Sequence, residues 1–267
     1  MKYILVSWPE SQKYAEYTEV SGIDKCYWGQ DSHDIFVPEH LYNPKFCAIS
    51  DLHGDLPDIE ECDCLLIAGD IFPLDCQSKM TECQNWVKHT FIPWLEFTPC
   101  NQVIIIAGNH DFYLKKFSQE FVKALPSKAV YLENEAFDYR GIKIYGTPNC
   151  KMFGKWAFME DPETLMKIFN KIPANVDILL THDAPFECSD VCENYDGHIG
   201  NLQLAIAILR KSPKINIHGH LHSSNHDWET LGNTKVINVS IKDESYSVAY
   251  KPLYFYGERK GRIEQED

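Results

Sequence analysis

The chain has 267 residues, 44% hydrophobic content and a formal net charge of −14 from 39 acidic and 25 basic residues, a size that buries the core of one large domain. Arginine occurs only at Arg140, Arg210, Arg259 and Arg262, so no basic stripe can neutralise a phosphate backbone, which argues against extended nucleic acid as a partner. No apolar run approaches the roughly 18 residues needed to span a bilayer, and the run that opens MKYILVSWPESQ, about five residues long, is too short for a signal-peptide core; the expectation is a cytoplasmic protein without membrane contact.

Residues 1–44 hold a short strand from Tyr3 to Val6, a polar and aromatic stretch Ser7–Tyr17, and a loop ending in DIFVPEHLYNP. No linker rich in Gly, Pro or Ser follows, so the expectation is one domain over 1–267 with 1–44 as an N-terminal extension packed on it. From Lys45 onward strands alternate with helices, the pattern of an α/β protein. CAISDLHGD runs out into Asp51 and His53, and CLLIAGD into Asp70. Met80, Cys83, Val87, Phe91 and Trp94 then recur at helical spacing. VIIIAGNHD ends in Asn109 and His110, and Phe117, Phe121, Val122 and Leu125 predict the next helix. AVYLENEAFDYRGIKIYGT reads as a hairpin turning near Arg140 and Gly141. Asp161 before Pro162 starts a helix whose buried stripe is Leu165, Ile168, Phe169 and Ile172. DILLTHD ends at His182, Leu204, Ala205, Ile208 and Leu209 mark a further helix, and INIHGHLH carries His220 and His222 ahead of the strand-like TKVINVSI. Alternating βα units plus these hairpins predict two packed sheets with helices outside.

Five buried-strand patterns therefore end in side chains that bind metals. Strands packed side by side in one sheet would bring all five ends to one rim, joining Asp51, His53, Asp70, Asn109, His182, His220 and His222. Asp51 and His53, like His220 and His222, are two residues apart and project to the same side of an extended chain. The mixture of imidazole, carboxylate and amide oxygen suits Mn, Fe, Zn or Co; an all-oxygen shell would favour Mg or Ca. Seven ligands exceed one tetrahedral ion and fit two ions that share a carboxylate. Such a pair clamps a phosphoryl oxygen and acidifies a water, from a pKa of about 15.7 to near 7, for in-line attack on phosphorus. The ten cysteines include no CxxC pair and read as reduced thiols, with Cys62-x-Cys64 and Cys188-x3-Cys192 as the alternative ligand pairs.

The ordered blocks D-x-H, G-D, G-N-H-D, H and G-H-x-H, spanning residues 51–222, resemble the calcineurin-like metallophosphoesterase superfamily. The resemblance implies a four-layered α/β/β/α sandwich of two mixed sheets flanked by helices. It implies one metal on Asp51, His53, Asp70 and His222, and a second on Asp70, Asn109, His182 and His220. By the same resemblance His110 is the general acid or transition-state stabiliser, and Asp111 orients it through its other ring nitrogen. A closer likeness over 45–241, carried by IYGTPNCKMFGKWAF, DILLTHDAPF, HIGN, INIHGHLH and KVINVS, is to the branch of the metallophosphoesterase-domain proteins and related bacterial phosphodiesterases, which include cyclic-nucleotide hydrolases. Asp183 and Asn149 depart from that branch, which has Gly and Trp there.

Protein phosphatases of the superfamily grip a monoester dianion with arginines, and this chain has none before Arg140. The expected activity is therefore hydrolysis of a small, nucleotide-type, linear or cyclic phosphodiester. A phosphomonoesterase on a nucleotide or metabolite comes second, a nuclease third, and a metal-binding interaction scaffold is the non-enzymatic alternative. Substrate contacts are expected from Asn109, His198, Trp156 and Phe158, with Phe153 beside the last two as a wall for a base, and the rim loop from Phe186–Asn201. Asp55 reads as a turn residue.

Overall fold

The computed structural model describes residues 43–192 and 195–257, and the backbone of 2–7, 16–21 and 35–38. The three N-terminal strands, β1 (Lys2–Ser7), β2 (Glu16–Ser21) and β3 (Ile35–Pro38), form an antiparallel sheet in the order β2-β1-β3. The packing expected of 1–44 on the domain lies outside the described residues.

Two larger sheets carry the rest. In the first, β4 (Lys45–Ile49), β5 (Cys62–Ala68), β6 (Cys100–Ile106) and β7 (Ala129–Tyr131) are parallel, and β16 (Leu253–Tyr256) pairs antiparallel with β4 at the edge. The second has the order β14-β15-β13-β12-β9-β8, built from β8 (Glu135–Tyr139), β9 (Ile142–Thr147), β12 (Ile178–Thr181), β13 (Ile215–His218), β14 (Glu229–Leu231) and β15 (Thr234–Asn238). A short parallel pair, β10 (Cys150–Lys151) with β11 (Met159–Glu160), stands apart. The β8–β9 turn falls at Arg140 and Gly141, both left-handed, as a two-residue hairpin requires.

The alternation of side chains across each strand produces three apolar layers. On the outer face of the first sheet, Cys47, Ile49, Leu65, Ile67, Val103 and Ile105 pack against helical Cys83, Val87, Phe91, Leu95 and Phe121. On its inner face, Phe46, Ala48, Leu66, Ala68, Ile104 and Ile106 meet Ile144, Ile178, Leu180, Ile217 and Ile237 of the second sheet. On the far side Tyr145 and Leu179 cover Leu165, Phe169, Leu204 and Ile208. Three apolar interfaces make four layers, the α/β/β/α sandwich. No helix among the described residues is long and apolar enough to cross a membrane.

The helices follow the predicted stripes with local departures. α1 (Met80–Trp86) and α2 (Ile92–Phe97) are joined by a π-helical stretch, Val87–Phe91, which carries Val87 and Phe91 into the core. In α3 (Phe112–Ala124), Val122 is half exposed while Tyr113 and Leu114 are buried instead, because non-helical backbone at Phe117 shifts the phase of the stripe. Asp161 caps α4 (Pro162–Phe169), accepting from the amides of Glu163 and Thr164. In α5 (Leu202–Lys211), Leu209 is exposed and Ala207 takes its place in the core.

The rim expected from a single sheet is instead shared by two. Asp51, Asp70 and Asn109 follow the carboxyl ends of β4, β5 and β6, whereas His182 and His220 follow β12 and β13 of the facing sheet. The hairpin of β8 and β9 turns the chain onto the second layer, and the sheets are stitched beside the site by Ser50 N donating to Val239 O at 2.9 Å.

Candidate metal centre

The strand ends turn sharply to present their side chains. Asp51, His53, Asp70 and His220 all have left-handed backbone, with φ of 56°, 44°, 53° and 71°, a concentration of strained non-glycine residues typical of functional sites. The adjoining glycines give room for this. A Cβ on Gly108 would strike the Asp70 carboxylate and the His182 ring, and one on Gly219 would strike Ser50 and the Asp51 carboxylate.

Asp70 stands at the centre. Its Oδ1 accepts from His110 N at 2.7 Å, while its Oδ2 lies 3.3 Å from His182 Nε2, 3.7 Å from His53 Nε2 and 4.0 Å from His110 Nε2. Asp51 accepts from His220 N at 3.0 Å and faces His222 Nε2 at 3.3 Å. Asn109 Oδ1 is 3.0 Å from His182 Nε2. Two histidines are oriented from behind by carbonyls: His182 Nδ1 donates to Ala68 O at 2.8 Å, and His222 Nδ1 to Asp243 O at 3.1 Å. Each bond turns Nε2 toward the carboxylates, where it can share a cation or a proton with them. His220 joins through its ring, 5.1 Å from that of His182.

This donor set fits divalent ions. Asp51 and Asp70 are fully buried, and among the described residues neither is paired with lysine or arginine. Burial alone would raise both carboxyls, but the surrounding histidines, His222 for Asp51 and His182 for Asp70, outweigh it and hold them below the usual carboxylate range. On His182 burial opposes the charge and Asp70 overcomes it, raising its pKa to about 10. Protons thus collect where cations would balance two buried negative charges. Both ring nitrogens of buried His53 lack a hydrogen-bond partner among the described residues. The 3.0–3.3 Å gaps of Asn109 and Asp70 to His182, and of Asp51 to His222, also match the roughly 3.0–3.4 Å expected between ligands about 2.1 Å from one ion, while His53 stands wider, 3.7 Å from Asp70.

Asp111 departs from expectation. His110 Nδ1 has no hydrogen-bond partner among the described residues, and the Asp111 carboxylate turns inward, accepting from the amides of Ile71 (2.9 Å), Phe72 (3.2 Å) and Gly108 (2.7 Å). It clamps the loops after β5 and β6 together. Burial, and then the charge of Asp70, push its pKa up to about 7. Asp111→Ala is expected to cost about 1–3 kcal/mol, since buried amides would lose their acceptor; the drop in the denaturant unfolding midpoint measures it.

Beside these groups opens a cavity of about 390 Å³. Asp70, Asn109, His110, His220 and His222 reach it, as does Trp156, whose ring stands 4.4 Å from that of His110. Phe153 also faces it, 5.5 Å from His220, and the loop 186–201 contributes Cys192, Tyr195 and Ile199. Two expected substrate contacts are elsewhere. Phe158 is buried in the core under the Lys115 ammonium. His198 is held at 2.6 Å by Asp190 and packs on Phe186, off the cavity lining. The Asp183 carboxylate, in place of the expected glycine, accepts from Lys151 N and Asn201 Nδ2. Asn149 Oδ1 accepts from Asn134. The lining includes Lys151, Glu244 and Tyr246, which no pattern in the sequence singles out.

Residues 44–224 match the calcineurin-like phosphoesterase family model. Human metallophosphoesterase domain-containing protein 1 is 28% identical over 235 residues, covering 78% of this chain and 69% of that protein. UPF0046 protein C25E10.12 of Caenorhabditis elegans is 28% identical over 233 residues, covering 79% and 80%. The crystal structure of TT1561 of Thermus thermophilus superposes with a TM-score of 0.50 at 15% identity, covering 73% of this chain and 88% of that one, a likeness of fold alone.

Proposed function

The chain belongs to the calcineurin-like phosphoesterase family, whose members are metal-dependent phosphoester hydrolases, and we propose that it acts on small phosphodiesters. The observation that carries this is the charge of the cavity. Among its described lining residues there is no arginine, and the ammonium of Lys151 donates to the carbonyls of Ile199 and Gly200, while the carboxylate of Glu244 adds negative charge. A monoester dianion asks for a fork of positive donors. A diester carries one charge and asks for less. The surrounding Phe153, Trp156, Tyr195 and Tyr246 suit an ester bearing a nucleoside or aryl group.

In this reading Asp51, His53, Asp70 and His222 hold one divalent ion, and Asp70, Asn109, His182 and His220 a second, with Mn, Fe, Zn or Co favoured by the donor set. Ions so held supply Lewis acidity toward phosphoryl oxygens and lower the pKa of water. The protein does the rest. The backbone amides of His220 and His110 fix Asp51 and Asp70, and the carbonyls of Ala68 and Asp243 fix the rings of His182 and His222. His110, whose Nε2 faces Asp70 Oδ2 from the cavity wall, donates its N–H to the developing charge on the leaving oxygen.

Metal analysis paired with a hydrolysis panel tests the proposal. Bis-p-nitrophenyl phosphate is expected to exceed p-nitrophenyl phosphate in kcat/KM by at least about tenfold, and 2′,3′- or 3′,5′-cyclic nucleotides to be cleaved. Chelation should remove the activity and an added divalent ion restore it. A preference for the monoester would sink the diester reading.

A further inference from the structure

Between β15 and β16 the chain forms a tight hook at residues 243–247. The Asp243 carboxylate draws it closed: Oδ1 accepts from Ser245 N at 2.9 Å, Ser245 Oγ at 2.7 Å and Ser247 N at 3.0 Å. The Asp243 carbonyl accepts from Tyr246 N at 2.9 Å as well as from the His222 ring. Lys242, buried just before the hook, is ion-paired with Asp55 in the loop that follows His53. The hook is therefore fastened to the segment that carries Asp51 and His53.

Tyr246 sits near its tip with φ of 61°, a left-handed backbone that side chains of this bulk rarely adopt and that glycine or asparagine takes readily. Its contacts show what the conformation achieves. The ring centroid lies 4.9 Å from that of His53, 4.9 Å from His222 and 6.4 Å from His110. Trp156 packs on the same His110 ring at 4.4 Å, and both aromatics line the cavity. Among the described lining residues neither side of this space offers a free lysine or arginine, because the Lys151 ammonium is engaged by carbonyls. What it offers a substrate is aromatic surface.

We propose that Tyr246 is a specificity-determining residue, forming with Trp156 a slot beside His110 that selects esters carrying a flat aromatic ring. This deepens the diester reading above and rests on it for the charge of the ligand. The ring enters against Tyr246 and Trp156 while the monoanionic phosphoryl group lies over Asp70 and Asn109. Selection comes from stacking and edge contacts, which a puckered ring of equal size and hydrophobicity makes poorly.

Two monoanions that hold no ester bond isolate that difference: methyl(phenyl)phosphinate and cyclohexyl(methyl)phosphinate, titrated calorimetrically into the metal-loaded chain, where no turnover can occur. The wild-type chain is expected to bind the phenyl compound about five- to tenfold more tightly. Tyr246→Phe should keep that preference. Tyr246→Ala and Tyr246→Leu should reduce it to about twofold or less, with metal content unchanged; the leucine variant keeps apolar bulk in the hook while removing flatness. Equal binding of the two compounds by the wild type overturns the slot. So does a preference that survives in the leucine variant, or metal loss in both the alanine and leucine variants. A retained phenyl preference in a chain that turns over only monoesters would count against the diester reading and leave the slot standing.

Discussion

Asp70→Asn is expected to lower kcat/KM on bis-p-nitrophenyl phosphate by about a thousandfold or more and to strip most of the bound metal. Asp70 is fully buried, and its Oδ2 faces the rings of His53, His110 and His182 within 4.0 Å. It is the side chain through which the two proposed ion sites communicate. Asparagine preserves its volume and leaves an oxygen for the His110 amide, but it removes the negative charge and puts two N–H donors where ring nitrogens need an acceptor or a cation. The fold should survive, because the apolar layers around the site are untouched. Metal content by elemental analysis and turnover on the same preparation decide the matter: an Asp70→Asn chain with full metal content would refute the shared-ligand role.

His110→Ala should separate catalysis from metal binding. A loss in kcat of about a hundred- to ten-thousandfold is expected for a group that delivers a proton or hydrogen bond to the leaving oxygen, with metal content near that of the unaltered chain. The geometry sets this contrast. His110 lies at the cavity wall between Trp156 and Asp70, its Nδ1 has no partner among the described residues, and the hydrogen bond it gives Asp70 comes from its backbone, which alanine retains. The loss should shrink for esters with good leaving groups, which need little help from a proton donor, and grow for alkyl esters. Near-normal rates on all of them would remove His110 from the chemistry.

The strand ends were legible in the chain because parallel strands buried on both faces show as unbroken apolar runs, so that the polar residue closing CLLIAGD or VIIIAGNHD marks a carboxyl end. Which sheet each strand joins was not, since pairing depends on contacts far apart in sequence. Other departures are local. Trp156 and Phe158, two apart, would share a side in an extended chain, yet Phe158 has φ of 54° and is turned into the core. His198 was captured by Asp190, eight residues earlier, an ion pair no periodicity predicts. Asp111 follows His110 directly, but its carboxylate serves backbone amides across two loops. Tyr246 lies in the polar segment DESYS, where neither alternation nor helical spacing marks a side chain that faces the site.

The division of the centre between two sheets has a consequence for how the protein matures. Asp51, His53, Asp70 and Asn109 arrive on one layer, and His182, His220 and His222 on the other. The layers meet across Phe46, Leu66, Ile104, Ile144, Leu180 and Ile217, an apolar seam that reaches no ligand. A nascent chain that has folded only its first layer therefore holds half a coordination sphere, with two uncompensated carboxylates that resist burial. Closing the sandwich concentrates that charge, and an ion bound at the junction relieves it. On the metal reading proposed above, cation capture would latch the last docking event, and refolding with a chelator present is expected to slow the joining of the two layers.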